Sequence, residues 1–347
     1  MRSKRLQKAR EGKATLEDVA HHASVSTATV SRYLTNSDLV RPARREKIEL
    51  AIAELGYIPH GAAQALASQR SRAIGAIVPT LDNAIFATGI HAFQKRLQKA
   101  GYTLLIASSD YSLEEELVQA ETLIARGVDG MMLVGSDHDD RLYARLGKMN
   151  LPYVNTWVFD KSVPHACVGF DNLAAAKRQA DYLLDIGHQR FGIISGIIKD
   201  NDRARFRLQG VLTAIEARGL QQDDVMIYES HYDIAQSRQI TRRLIATEPR
   251  PTAIICGNDV LAFGAIFECL ANRLDVPGDM SIVGFDDLPF SQHIVPALTT
   301  VHVPSREMGQ HAADYLLARL QKGQIPDHTE IETNLIVRDS AARPRNG

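Results

Sequence analysis

The chain has 347 residues, of which 45% are hydrophobic, enough for one large folded unit and a smaller one. No run approaches the roughly 20 apolar residues of a membrane span, so we expect no membrane association. No apolar segment follows the N-terminal MRSKRLQKAREGK, so we expect no secretory signal and a cytoplasmic protein. The three cysteines, none in a CxxC pair, are typical of buried hydrophobic positions in a reducing compartment.

The net charge of −1 conceals an uneven distribution. Residues 1–72 hold 13 lysines and arginines against 7 aspartates and glutamates, whereas residues 73–347 hold 27 against 34. A basic N-terminal segment on an acidic remainder indicates that only this segment meets a polyanion. A merely solvated basic tail would show the same imbalance.

The first segment predicts three short helices. Thr15 is placed to cap a helix over Leu16–His22, with Asp18 three residues later completing a capping box. After a turn at residues 24–25, Ser26 caps a second helix over Thr27–Leu34. The third helix, over residues 42–55, has proline in its first turn and glycine just after its end.

The second helix has two distinct faces. We expect Ala28, Val30 and Leu34 to face inward. Two helices joined by so short a turn form a helix-turn-helix, in which the second helix presents its N-terminal residues to the major groove. Here these are Thr27, Ala28 and Arg32; arginine can bond guanine in a bidentate manner, and methyl groups can contact thymine. Short donors suited to phosphates are also present: Thr15, Ser26, Thr29 and Ser31. A plain three-helix bundle with a solvated polar face is the alternative.

From residue 73 onward, short apolar runs alternate with amphipathic helices. The predicted strands are Ile74–Val78, Thr103–Ala107, Gly130–Val134, Tyr153–Asn155, Cys167–Gly169, Phe191–Ser195, Val225–Tyr228, Ala253–Cys256 and Ser281–Phe285. The predicted helices include Phe86–Ala100, Leu113–Ala125, Leu173–Ile186, Arg205–Arg218, Ile234–Ile245 and Val260–Asn272. This alternation predicts an α/β body of parallel sheets covered on both faces, and nine strands favour two doubly wound lobes.

A ligand cleft is expected at the carboxyl ends of these strands. The residues that follow strand ends, most of them polar or aromatic, are Asp82, Asn83, Ile85, Phe86, Trp157, Asp200, Asn201, Asp202, Arg203, Arg205, Arg207, Tyr232, Asn258, Asp259, Asp286 and Asp287. Polyols need convergent donors, acceptors and an aromatic face, and a sugar acid also needs a fixed cation such as arginine. The alternatives are that Phe86 and Trp157 are core residues, that Asp259 caps a helix, and that Arg203 and Arg205 are solvated.

The N-terminal segment resembles the DNA-binding head of the LacI-GalR repressor family. The resemblance is carried by TLEDVAHHASVSTATVSRYLTN, REKIELAIAELGYIP and QALAS. It implies that Ala62–Ser68 is a hinge helix that orders on DNA, and that Leu66 inserts into the minor groove. Two hinge helices must meet there, so a homodimer or a tetramer and a near-palindromic operator are implied. The sequence departs from the family at Arg41, where a capping serine is usual, and at His60, where asparagine is common.

The body carries the same resemblance in segments such as SRAIGAIVPTLDNAIFA, PTAIICGNDVLAFGA and DVPGDMSIVGFDD. It implies a periplasmic-binding-protein-like domain, and hence a helix-turn-helix domain over 1–59, a hinge and linker over 60–72, and an effector-binding and dimerisation domain over 73–347. By the same resemblance, Arg207 grips the effector, opposite Asp286. Further effector contacts are expected from Asp82, Phe86, Trp157, Tyr232 and Asn258.

These features predict a transcription factor, a repressor in which a small effector changes operator affinity through lobe closure. A transport binding protein is disfavoured by the basic helical head, and a sugar-modifying enzyme by the lack of a coherent acid/base set. GxGxxG after the first strand, a Walker-type loop and HExxH are missing from the sequence, so we expect no cofactor and no metal. The effector is expected to be a sugar or sugar acid, with gluconate-type regulators as a nearer similarity.

Overall fold

The computed structural model describes residues 14–58, 70–220 and 224–345. The chain divides between Ala73 and Ile74 into two compact units. The described part of the first unit before residue 73 is helical, and the second alternates strands and helices. No helix in the described ranges is long and apolar enough to cross a membrane.

The described part of the first unit contains three α-helices and one 3-10 turn. The helices are α1 (Leu16–His22), α2 (Thr27–Thr35) and α3 (Pro42–Leu55), with the 3-10 turn at Ser37–Leu39. The predicted capping box is present, because the Asp18 amide donates to Thr15 Oγ1 at 3.3 Å and the Thr15 amide donates to Asp18 Oδ2 at 2.9 Å. The α3 helix ends at Gly56, whose φ of 59° suits glycine.

This unit has a hydrophobic core of its own. The buried residues are Val19, Ala20, Ala23, Val30, Val40, Ile48 and Ala51. The prediction that Ala28 faces inward was wrong, since Ala28 is exposed while Val30, two positions later, is buried. Residues two apart on a helix point in different directions, so only one of them can face the core.

The described residues of the second unit form two six-stranded sheets. The sheet of the first lobe has the order β11-β5-β4-β3-β1-β2, and that of the second has the order β12-β10-β9-β8-β6-β7. The strands of the first lobe are β1 (Ala73–Val78), β2 (Thr103–Ser108), β3 (Gly130–Val134), β4 (Tyr153–Thr156), β5 (Cys167–Gly169) and β11 (His328–Glu330). Those of the second lobe are β6 (Phe191–Gly196), β7 (Val225–Ser230), β8 (Ala253–Cys256), β9 (Ser281–Asp286), β10 (Thr299–His302) and β12 (Asn334–Ile336).

Two doubly wound α/β lobes were predicted, and they are confirmed. The last three strands were not predicted, and one of them, β12, pairs antiparallel with β10. The helices are α4 (Ala84–Lys99), α5 (Leu113–Ala125), α6 (Asp140–Lys148), α7 (Asn172–Asp185), α8 (Asp202–Ala217), α9 (Ile234–Ile245), α10 (Asp259–Ala271) and α11 (Ser305–Leu320). Two of these, α6 and α11, also went unpredicted.

The chain passes between the lobes three times, because α11 and β11 return to the first lobe before β12 rejoins the second. In the first lobe α11 packs closely on α4. A Cβ at Gly309 of α11 would overlap the carbonyl of Gly89 in α4, so this contact requires glycine. The three crossings connect the lobes beside the carboxyl ends of their parallel strands, where the candidate site lies.

Candidate DNA interface and ligand cleft

The α2 helix presents the predicted base-reading residues at its surface. Thr27, Ala28 and Arg32 are exposed, and the Arg32 guanidinium forms no ion pair among residues 14–58. Thr29 and Ser31 are half-buried. This face therefore combines short side chains with one cation, Arg32. Such a combination suits direct contact with base edges.

The predicted phosphate contacts lie at two helix N-termini. Thr15 caps α1, and Ser26 caps α2 by accepting from the Thr29 amide at 3.2 Å. The Ser26 and Thr29 hydroxyl oxygens are 2.8 Å apart. Helix N-termini favour anions through their free amides and dipole, so this end suits a phosphate. Leu66 and the hinge segment lie outside the described residues, and Arg41 gives α3 no side-chain cap.

In the second unit, a cavity of about 320 Å³ opens between the lobes at the carboxyl ends of the strands. Residues of both lobes line it: Asn83, Ile85, Phe86, Tyr111 and Trp157 from the first, and Asn201, Arg203, Arg207, Tyr232, Asn258 and Asp286 from the second. A cleft between two lobes that combines aromatic rings with a few convergent polar groups is the usual form of a small-molecule site.

Six of the seven expected effector contacts line this cavity. The seventh, Asp82, is exposed and does not line it; its neighbour Asn83 does. Sequence reasoning missed Tyr111, although it follows β2 as closely as other candidates follow their strands. The same rule about strand ends would have found it.

Arg207 lines the cavity and is held by three hydrogen bonds and one ring contact. Its Nε donates to Asn172 Oδ1 at 2.9 Å, and its Nη1 donates to the Gly257 carbonyl at 2.9 Å and to Asp286 Oδ1 at 3.4 Å. The guanidinium also lies 3.7 Å from the centroid of the Phe285 ring. This packing leaves Nη2 as the group with which Arg207 can meet a ligand.

Asp286 is the acidic partner in this pair. Burial raises its pKa to about 6, although the neighbouring Arg207 lowers it. Its carboxylate is therefore mostly ionised at neutral pH, and the pair has little net charge. Its φ of 115° is outside the common regions, which indicates backbone strain at the site.

Three side-chain groups in the cavity wall are buried without a hydrogen-bond partner within the described structure. They are the Tyr111 hydroxyl, the Trp157 indole Nε1 and the Asn258 amide Nδ2. A buried polar group without a partner costs roughly 1–3 kcal/mol, so such groups are rare unless a ligand or water satisfies them. All three can donate, so a ligand rich in acceptors suits them.

Aromatic rings complete the cavity wall. Phe86 and Trp157 pack edge to face with centroids 5.2 Å apart, and Tyr111 and Tyr232 lie tilted at 6.0 Å. Phe86 and Trp157 also belong to the hydrophobic core, so the core interpretation and the cleft interpretation both hold for them.

The other candidates divide between structural and surface positions. Asp259 is fully buried, does not line the cavity and accepts hydrogen bonds from Ser291, Thr300 and the Leu288 amide, so it is structural. Asn258 caps α10, because its Oδ1 accepts from the Leu261 amide. Arg203 is buried, so the alternative that it is solvated was wrong. Arg205 is half-buried and pairs with Asp137.

Known proteins resemble both units. Residues 15–60 match the profile of bacterial regulatory proteins of the lacI family, and residues 180–341 match that of periplasmic binding protein-like domains. The transcriptional repressor CytR of Escherichia coli strain K12 is 32% identical over 336 residues, covering 96% of this chain and 98% of CytR.

Solved structures resemble this chain over nearly its whole length. A LacI-family transcriptional regulator from Silicibacter pomeroyi has a TM-score of 0.87 at 27% identity, covering 95% of this chain and all of that one (100%). The lac repressor dimer bound to operator and the anti-inducer ONPF has a TM-score of 0.85 at 28% identity, with the same coverage. The chain is a DNA-binding transcriptional repressor of the LacI family.

Proposed function

We propose that this repressor binds a near-palindromic operator as a homodimer in the cytoplasm, and that a small polar effector in the inter-lobe cavity changes its operator affinity. The three unpartnered buried donors of the cavity wall carry the effector half of this proposal. The lac repressor, of similar structure, was solved as a dimer with both operator and a small ligand. Effector control then requires only that the ligand bind one conformation of the body better than another.

The effector is a sugar or sugar acid. The cavity offers donors from both lobes and the rings of Phe86, Trp157 and Tyr232, which together suit the hydroxyls and the apolar face of a small saccharide. The Nη2 group of Arg207 suits a hydroxyl or a carboxylate. The gluconate-type similarity stays a prediction.

A second copy of the chain accounts for an apolar surface on the second lobe. Phe263, Phe267 and Leu270 recur on one side of α10, and the ring of Phe290 packs edge to face on Phe263 at 5.4 Å. Phe267, Leu270 and Phe290 are 37%, 45% and 55% exposed. Neighbouring exposed apolar residues of this kind mark protein interfaces. We assign this surface to the homodimer; sedimentation velocity distinguishes dimer from tetramer.

The segment Ala62–Ser68 couples the two halves in this proposal, with Leu66 as its wedge in the minor groove. An effector that changes lobe closure would change the spacing of the paired hinges. Operator affinity would follow from that spacing.

The test begins with a thermal-shift screen of the full chain against sugars, sugar acids and nucleobases, with and without operator DNA. A ligand that stabilises the protein is then added to an operator titration, and we expect the dissociation constant to change. Residues 73–347 alone should keep ligand binding and lose operator binding. Sequence-specific DNA binding by this truncated chain would refute the assignment of DNA binding to the N-terminal unit.

A further inference from the structure

The two lobes are joined by a polar cluster beside the cavity. The loop after β3 in the first lobe meets the first turn of α8 in the second. The Ser136 amide and hydroxyl donate to Asp202 Oδ2 at 2.6 and 2.8 Å, and Arg203 Nη1 donates to the Val134 carbonyl at 3.0 Å. These bonds connect groups that lie on different lobes, so they depend on lobe closure.

The cluster is buried and its charges are compensated. Asp202 is 0% exposed and Arg203 is 7% exposed, and their side chains are 2.7 Å apart between Oδ1 and Nη1. Burial alone would raise the pKa of Asp202, but Arg203 and the Ser136 donors outweigh burial and hold that pKa below its ordinary value. Asp202 is therefore an ionised acceptor, and hydrogen bonds to ionised groups are the stronger ones.

The loop is shaped and braced to make this contact. Gly135 has a φ of 95°, and a Cβ there would overlap the Arg203 guanidinium. On the first lobe, the His138 ring lies 2.7 Å from Glu116 of α5 through Nδ1 and 3.0 Å from the Gly135 carbonyl through Nε2. The loop is thus fixed to its own lobe and presents its donors across the gap.

We propose that Ser136, Asp202 and Arg203 form an inter-lobe clasp that holds the cleft closed before any effector binds. The bonds of the clasp join protein groups only, and Arg203 also lines the cavity. The clasp therefore sets the resting ratio of open to closed bodies. Because the effector is proposed to bind between the lobes, a population shifted towards the open form would also bind it more weakly; this last step rests on the proposed function.

The clasp is tested in the effector-free full chain by measuring a distance between lobes. Nitroxide labels are placed at Gln98→Cys on α4 and Glu216→Cys on α8, both exposed, while the three native cysteines are buried and protected from labelling. The labelled chain is mixed with an excess of unlabelled chain, so that a dimer carries only one labelled copy, and double electron–electron resonance should then show one short main distance. Asp202→Asn and Gly135→Ala should each add a longer population, with an open-to-closed ratio raised roughly 10-fold or more.

Two further variants keep the result interpretable. Ser136→Ala removes the hydrogen bond from the Ser136 hydroxyl to Asp202 and should give a smaller shift in the same direction. This variant tests the clasp even if Asp202→Asn fails to fold. Arg145→Ala breaks an ion pair with Glu121 that lies within the first lobe and should leave the distance unchanged. The clasp would be overturned if Ser136→Ala gave the same distance distribution as wild type, and if Asp202→Asn and Gly135→Ala, where they fold, did so too.

A separate arm tests the effector step. If the clasp variants open but keep the wild-type affinity for the ligand found in the screen, the clasp stands and the ligand binds outside the closed cleft. If no compound binds, the distance measurement still decides the clasp.

Discussion

Arg207→Ala removes the best-anchored cation of the cavity. The guanidinium makes three hydrogen bonds, to Asn172, Gly257 and Asp286, and one ring contact. Breaking a buried ion pair usually costs about 3–5 kcal/mol because a charge is left unpaired. Here Asp286 can become neutral by taking up a proton, because its pKa is already about 6 and rises further without Arg207. Protonation one pH unit above a pKa costs only about 1.4 kcal/mol. We therefore expect a loss of folding free energy near the lower end of that range.

The effector affinity should fall more selectively. One lost charged hydrogen bond of about 1.5–3 kcal/mol corresponds to roughly 10- to 100-fold in the dissociation constant. Isothermal titration calorimetry with the ligand from the screen measures this change, and fluorescence anisotropy measures operator affinity. Effector-free operator affinity should persist, because the head has its own core.

The matched control is Arg218→Ala, which removes an arginine that pairs with Asp185 on the surface of the same lobe. Exposed pairs contribute about 0–1 kcal/mol, so this variant should resemble wild type in both assays. A folded Arg207→Ala protein with an unchanged effector dissociation constant would refute the assignment of the cavity as the effector site.

Other predictions follow from the head, the buried acids and the helix packing. Arg32→Ala should weaken operator binding by about 1–3 kcal/mol in an anisotropy titration and leave effector binding intact; wild-type operator affinity would contradict its role. Burial raises the pKa of Asp259 to about 7, above its unfolded value, so the folded state binds the extra proton between roughly pH 4 and 7. The free energy of unfolding should fall as pH rises through this window, and urea titrations of Asp259→Asn should show a shallower fall; an equal slope would exclude Asp259 as the source. Gly309→Ala should cost about 1–3 kcal/mol through overlap with Gly89, whereas Gly147→Ala, which meets no atom within 4 Å, should not destabilise; equal urea midpoints would contradict the packing argument.

Much of the fold was accessible from local patterns. The bounds predicted for α1 and α3 match, because capping at Thr15, proline at position 42 and Gly56 specify helix ends within a few residues. The apolar runs located nine strands, since strands buried on both faces are apolar throughout. The elements after Phe285 were harder. Strands β11 and β12 have three residues each and are set by pairing across the lobe crossings, which no local pattern encodes.

The sequence predicted most of the strand ends that supply the site, but not in every case which residue at each end lines the cavity. Asp82 and Asn83 are adjacent and both polar, and only the start of α4 decides that Asn83 turns into the cavity. The burial of Arg203 depends on Val134 and Ser136, more than 60 residues earlier in the chain. Such contacts come from the relative placement of the lobes, so the inter-lobe clasp was not visible in the sequence.

Operator affinity measured with and without effector tests the central claim most directly. The full chain is titrated onto a labelled near-palindromic operator at fixed salt, first alone and then with saturating ligand from the screen. We expect the two dissociation constants to differ by about 5- to 150-fold, the usual range of coupling between sites. Equal dissociation constants for a ligand that demonstrably binds the cavity would contradict effector control of this repressor.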